Sequence, residues 1–352
     1  MLPPSSLDQL QSLTGKLDQN HLTGPIPAFL SNLSLLQILS LGINVLSGPI
    51  PKELGSLQNL QILSFGSNNL SGTLPPELGS LVNLEQIYID SSGVGGEIPP
   101  TFANLKNLQT MWASDNAFTG KIPNFIGDLT KLTSLRFQGN SFEGPIPSSL
   151  SNLTLLTDLR ISDLSNVSSS LVFIKDMKDL VILILRNNLI SGSIPSSMGD
   201  FGKLQKLDFS FNNLTGQVPS SLFNLSDLSN LFLGNNSLSG ILPSQKSSTL
   251  LNVYVLICLY QIENSNFVSS LYCNCHYCFG FAYGSGIWLC GKEDAHLLDM
   301  MQAYVRQAHM VNFCLLDVLT KHMQNTINRE YLHYAKIQRC TKQGLTCTMM
   351  AV

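Results

Sequence analysis

The chain has 352 residues, length enough for two or three domains, with 44% hydrophobic and 12% charged residues and a formal net charge of −3. That apolar content excludes a disordered chain, and the sparse, slightly acidic charge excludes a polybasic surface for nucleic acid. All 16 prolines lie at or before Pro243 and all eight cysteines at or after Cys258, so two differently built segments meet near residue 250.

The opening stretch, MLPPSSLDQLQSLTG, has neither a basic leader region nor an apolar one, so no secretory signal peptide is expected in it. Then one sentence repeats at a period of 24 residues, clearest over residues 81–164. Its marker column is Asn20, Asn44, Asn68, Ser92, Asn116, Asn140, Leu164, Asn188, Asn212 and Asn236. A fixed period of this length predicts a solenoid. Apolar residues three and five positions before the marker, such as Ile87 and Ile89 or Leu135 and Phe137, predict a short half-buried strand in each unit. The carboxamide of the marker Asn is expected to pair backbone groups left over where the chain turns inward. After it comes Leu-Ser/Thr-Gly-x-Ile-Pro, as in residues 46–51 and 238–243. There Gly permits positive φ and Pro ends the extended piece. Ten residues past the marker sits another core residue, such as Leu54, Leu78, Phe102 or Ile126. The first unit lacks core residues at Ser12 and Gly15, so fraying is expected over residues 1–20.

This pattern resembles the leucine-rich repeat, and its LSGxIP insertion resembles the plant-specific class. The resemblance implies an α/β repeat fold: a right-handed solenoid with a parallel β-sheet on its concave face. Three stretches, LEQIYIDSSGVGGEIPPTFANLKNLQTMWASDNAFTGKIP, LTSLRFQGNSFEGPIPSSLSNLTLLTDLRISDLSN and LFLGNNSLSGILPSQKSSTLLN, are more specific. They resemble the ectodomain of plant leucine-rich-repeat receptor-like Ser/Thr kinases with an extracellular malectin-like domain. In that family a signal peptide and a cysteine-bearing cap precede the repeats, and a malectin-like domain, one membrane helix and a cytoplasmic kinase follow. The organisation expected here is a degenerate first repeat over 1–20, the solenoid over 21–255 and a Cys/His-containing, partly helical tail over 256–352.

The seventh unit keeps its strand but breaks its motif: Leu164 replaces Asn, and Asn166, Ser168, Ser170 and Leu171 replace the Leu, Gly, Ile and Pro columns. A bulge or short helical turn is expected there, either built in or a decayed repeat.

Four positions before the marker, side chains project from the concave sheet. Tyr88, Trp112, Arg136 and Arg160 fall there on consecutive strands. At ~4.8 Å between strands they span roughly 14 Å. Asp90, Gln138, Asp158 and Arg186 flank them. Tyr, Trp and Arg dominate binding hot spots, which makes these eight residues a candidate site for a protein, peptide or glycan ligand, or for a co-receptor ectodomain. The bland alternative is cross-strand stacking that stabilises the sheet.

Seven N-x-Ser/Thr sequons, at Asn32, Asn69, Asn152, Asn166, Asn213, Asn224 and Asn235, suit N-glycosylation in the secretory path. The repeat itself also generates N-L-S and N-L-T strings by chance. In the tail, the uncharged run 264–291 is a poor membrane span. Cys273, Cys275, His276, Cys278 and Cys290 match no common zinc framework. Apolar residues recur at helical spacing from Leu297 to Leu319, which predicts an amphipathic helix within 293–338.

No Gly-rich phosphate loop, V-A-I-K, H-R-D, D-F-G, H-E-x-x-H or G-x-S-x-G string is present, so no catalytic residue, cofactor or metal is expected. The expectation is a ligand- or co-receptor-binding ectodomain of a truncated plant receptor-like kinase. For the parent family that means the extracellular side of the plasma membrane, with membrane attachment through other parts of the receptor. Two alternatives are a part of a membrane Ser/Thr kinase whose catalytic domain lies elsewhere, and a soluble decoy or inhibitor-type repeat protein.

Overall fold

In the computed structural model the described residues are 14–242, 247–250 and 252–254, with four short strands at 278–281, 287–290, 336–340 and 347–351. The chain divides into two compact units, Met1–Gly291 and Lys292–Val352.

The described repeats of the first unit stack as a solenoid. Its spine is an 11-stranded sheet, parallel throughout, running from Thr14–Lys16 to Asn252–Tyr254. Neighbouring strands pair in register at the 24-residue step, for example Gln86↔Thr110, Ile87↔Met111 and Tyr88↔Trp112. A three-residue strand cannot hold a sheet by itself. What holds it is the layer beneath. Leu39, Leu63, Ile87, Met111, Leu135, Leu159, Leu183, Leu207 and Leu231 are all buried, as are Leu41, Phe65, Ile89, Ala113, Phe137, Ile161, Leu185, Phe209 and Leu233. Both inward columns therefore form one continuous core.

The marker carboxamides form the expected ladder. Asn212 Nδ2 donates to the carbonyls of Leu185 (2.8 Å) and Phe209 (3.0 Å). Its Oδ1 accepts from the N–H groups of Asn188 and Ile190, both at 3.0 Å. Asn44, Asn68, Asn116, Asn140 and Asn236 repeat the pattern. Ser92 keeps the ladder going by donating its hydroxyl to Asn116 Oδ1 at 3.0 Å.

The LSGxIP segments do more than end a turn. They form parallel strips of their own: Thr23–Gly24, Val45–Pro49 and Asn69–Ser71; Gly95–Gly96 with Ala117–Phe118; and Ser191–Ser193, Asn213–Gln217 and Ser237–Ser239. Gly72 takes φ +76, as expected for its column. Among the described residues nine one-turn 3-10 helices follow, eight of them entered from a proline at extended φ and ψ. The ninth, Leu171–Ile174, enters from Ser170.

That exception is the seventh unit, where the helical turn is present and the flanking strip is interrupted between the bridge Glu143↔Ser165 and the strand Ser191–Ser193. Leu164 is buried and offers no carboxamide, so only its N–H joins the ladder, donating to Asn188 Oδ1 at 3.1 Å. Asp163 and Asn166 turn the chain with positive φ.

The 24-residue step holds at the first described strand and shortens at the last. Thr14–Lys16 pairs with Ile38–Ser40, so the described part of the first unit is a sheet strand with Gly15 buried; residues 1–13 lie outside the described residues. The last strand pairs Asn230↔Asn252, a step of 22.

Past the solenoid, Cys278–Phe281 and Ile287–Cys290 pair antiparallel with Cys278 opposite Cys290. In the second unit Lys336–Cys340 pairs antiparallel with Cys347–Ala351. Of the helix expected within 293–338, only 336–338 is described, and it is strand. Cys273, Cys275 and His276 also lie outside the described residues.

Candidate ligand-binding face

The sheet brings the predicted row together. Tyr88 is in register with Trp112, Trp112 with Arg136, and Arg136 with Arg160. All four side chains are half-buried, because each leans on the next. Tyr88 meets Trp112 edge-on, with centroids 5.0 Å apart and planes at 84°. Arg136 lays its guanidinium 3.5 Å from the centre of the Trp112 ring. Stacking of this kind contributes roughly 0.5–2 kcal/mol. Trp112 Nε1 donates to Ser134 Oγ at 2.7 Å, and the Tyr88 hydroxyl donates to Gln86 Oε1 at 2.9 Å.

Asp158, expected at the flank, is a largely buried counter-ion of the row, 8% exposed. Arg136 donates to its Oδ2 through Nε (3.0 Å) and Nη2 (2.7 Å). Arg160 donates from Nε to Oδ1 (2.7 Å) and from Nη2 to Oδ2 (3.1 Å). One carboxylate thus holds two guanidinium groups in place and leaves the cluster with one net positive charge. The fork geometry of each guanidinium makes this a rigid clamp.

The other flanking residues divide. Asp90 Oδ1 accepts from the N–H of Ser114 at 2.9 Å. Gln138 is half-buried, and its Oε1 is enclosed without a partner. Arg186 stands apart from the cluster, with its guanidinium 5.0 Å from the centre of the Phe211 ring. Of the seven sequon asparagines, Asn32, Asn69, Asn152, Asn166, Asn213 and Asn224 are exposed and Asn235 is half-buried.

A second row escaped the sequence reading. One position before the marker, the backbone turns with positive φ in every unit: Gln19, Ile43, Ser67, Ser91, Asp115, Gly139, Asp163, Asn187, Phe211 and Asn235. Through units five to seven this rim reads Asp115, Gly139, Asp163, beside Asp90 in the neighbouring column. Asp115 is exposed overall, but partial burial of its carboxyl, with Asp90 and Asp163 adding like charge, pushes it above its ordinary value. Burial likewise pushes the Tyr88 phenol up, opposed by a hydrogen bond with Thr110 and by Arg136. Aspartate recurring one residue before the marker was the available signal.

Among the described residues no group of three or more His, Cys, Asp or Glu side chains could hold a metal ion. Also among them, no helix is long and apolar enough to cross a membrane.

The geometry agrees with known proteins. Residues 18–137 match the family profile of a leucine-rich repeat region, and 131–153, 179–201 and 203–225 match single leucine-rich repeats. The gap from 154 to 178 is the broken seventh unit. None of the curated proteins compared with the chain matches it. Among solved structures, the chain is 33% identical to the plant peptide hormone receptor RGFR1 in its complex with RGF2, with a TM-score of 0.62 over 65% of this chain and 36% of that one. It is 34% identical to the Arabidopsis receptor kinase HAESA, solved with the peptide hormone IDA and the co-receptor SERK1, with a TM-score of 0.60 over 65% and 38%. A plant ice-binding protein is 30% identical, with a TM-score of 0.59 over 70% of this chain and 79% of that one. The chain therefore spans about a third of the length of the two receptors.

Proposed function

The chain belongs to the leucine-rich-repeat family, and we propose that it is a peptide-recognition ectodomain of a plant receptor-like kinase, working at the outer cell surface. In this reading the repeats are assigned no kinase activity and no membrane attachment of their own. One observation carries the reading: Tyr88, Trp112, Arg136 and Arg160 stand on four consecutive strands as a single clamped row. A row held by its own stacking and ion pairs meets a ligand without first losing side-chain entropy. Likeness to receptors solved with peptide hormones, and in one case with a co-receptor, supports the ligand class.

A glycan is a weaker fit. Sugar rings stack on open aromatic faces, and Arg136 already covers one face of Trp112. Ice binding, suggested by the third neighbour, calls for a long regular row of exposed hydroxyls. The flanking strips supply Thr23, Ser47 and Ser71, and later Ser191, Thr215 and Ser239, but Gly95, Glu143 and Val167 interrupt the row. A soluble decoy would use the same clamped row as a receptor.

The test is selection of a random peptide display library on the full chain, followed by affinity measurements on the selected peptides. Trp112→Ala and Arg136→Ala should each weaken binding about 30-fold or more, the usual loss at a hot spot. Circular dichroism should show the fold unchanged. Selected peptides that bind both variants as tightly as wild type would remove the row from the site.

A further inference from the structure

We infer that the acidic rim over Gly139 receives a basic side chain, lysine or arginine, of the bound peptide. This rests on the peptide-binding reading above and adds the chemistry of one ligand position.

Three observations converge. The first is space. Gly139 has φ +67 and no side chain, and a Cβ built on it would collide with Asp115 Oδ1. Asp115 therefore leans into the gap that Gly139 leaves between it and Asp163. The two aspartates sit two strands apart, about 10 Å along the sheet, and flank the side-chain-free position at Gly139.

The second is unbalanced charge. Asp90 accepts from the Ser114 N–H, and Asp163 accepts from Asn187 Nδ2 at 2.7 Å and from the Ser162 hydroxyl. Among the described residues no side chain donates to the Asp115 carboxylate, and its acidity is shifted by burial and like charges alone.

The third is the floor of the site. Ser114, only 4% exposed, carries a hydroxyl with no partner, and Gln138 Oε1 beside it is equally enclosed and unpartnered. Ser114 lies two residues beyond Trp112 and faces the same side of the sheet. Its neighbours in that column are Asp90 and Gln138. Buried polar atoms without partners are uncommon, and these two share the column of Asp90 and adjoin the column of Asp115 and Asp163. The rim is rich in acceptors and short of donors. An ammonium brings three N–H donors and a guanidinium five. Its place two residues from the Trp112–Arg136 stack means that one extended peptide can touch both.

The experiment is a random peptide display selection on the full chain and on an Asp115→Asn/Asp163→Asn double variant, which keeps side-chain shape and removes both charges. Wild type should enrich Lys or Arg at one fixed peptide position by about ten-fold over the input, close to the factor one ion pair confers. The double variant, its melting curve confirming that it is folded, should lose that preference and keep enrichment elsewhere in the peptide. A wild-type pool without a fixed basic position, or a basic position that survives in the double variant, overturns the inference and leaves the clamped-row reading intact. A wild-type chain that enriches no peptide overturns both.

Discussion

A carboxylate ionises readily where donors or positive charge surround it, and the Asp115 side chain has neither within its coil. Its charged neighbours are Asp90 and Asp163 instead. The folded chain therefore holds the Asp115 proton to a higher pH than the unfolded chain, whose ordinary value is 3.8. Between those two values the native state binds more protons, so stability falls as pH rises through the window, and the cost is complete above the folded value. Asp115→Asn removes that cost. Its melting temperature should lie above wild type at neutral pH, and the two should converge near pH ~3, where both are uncharged at this position. A variant that melts below wild type at neutral pH would show that the carboxylate has a stabilising partner. Asp158 was legible as a residue of the concave face, but its two ion pairs were not. Its partners lie 22 residues back and two ahead, a relation visible only once strands are in register.

Each coil is one short strand, one turn and one 3-10 helix, and none of these is stable by itself. The carboxamide of the marker Asn is what joins them, because it bonds both its own turn and the coil before. Asn212→Ala would leave the N–H groups of Asn188 and Ile190 buried without their acceptor. Each such group costs roughly 1–3 kcal/mol, so thermal or urea unfolding should show a loss of several kcal/mol, with the far-UV spectrum unchanged below the transition. A loss near that of an exposed Asn→Ala change would mean the ladder is ornamental. The ladder was legible in the sequence because its chemistry recurs: eight of the ten positions are Asn. The positive-φ column next to it was not, because Gln19, Ile43, Asp115 and Phe211 share no chemistry. There the coil's closure imposes the backbone, and bulky residues such as Ile43 adopt a conformation they disfavour when free. The flanking strips were hidden for a related reason, since Gly and Pro argue against strand by propensity while stacking supplies the pairing.

For the molecule as a whole, the constant step matters more than any single coil. Strand pairs keep the 24-residue register from Thr14↔Ile38 to Phe232, and the step shortens to 22 only at the last strand. Even the seventh unit, stripped of its motif, keeps its length, and its strand Asp158–Arg160 pairs on both sides. Register is what the stack enforces, because a one-residue slip would turn both inward columns out of the core; at the 22-residue step Val253 still pairs with Leu231 and packs against the core. In a solenoid each coil touches only its neighbours, so stability is nearly a sum over coils and interfaces. Deleting residues 45–68, one full period of 24, should therefore join Asn44 to Asn69 with every column intact. Circular dichroism should keep its strand signal, the melting temperature should fall by a small step, and peptide selection on the Tyr88–Arg160 row should be unchanged. Deleting only residues 45–56 removes the strip Val45–Pro49 and the helix Lys52–Ser56 and throws the following coil half a period out of step, which should abolish the cooperative transition. Equal damage from both deletions would mean that the coils are not interchangeable and that contacts between distant coils hold the sheet together. Survival of the longer deletion and failure of the shorter one would identify the repeat length as the quantity that the fold depends on.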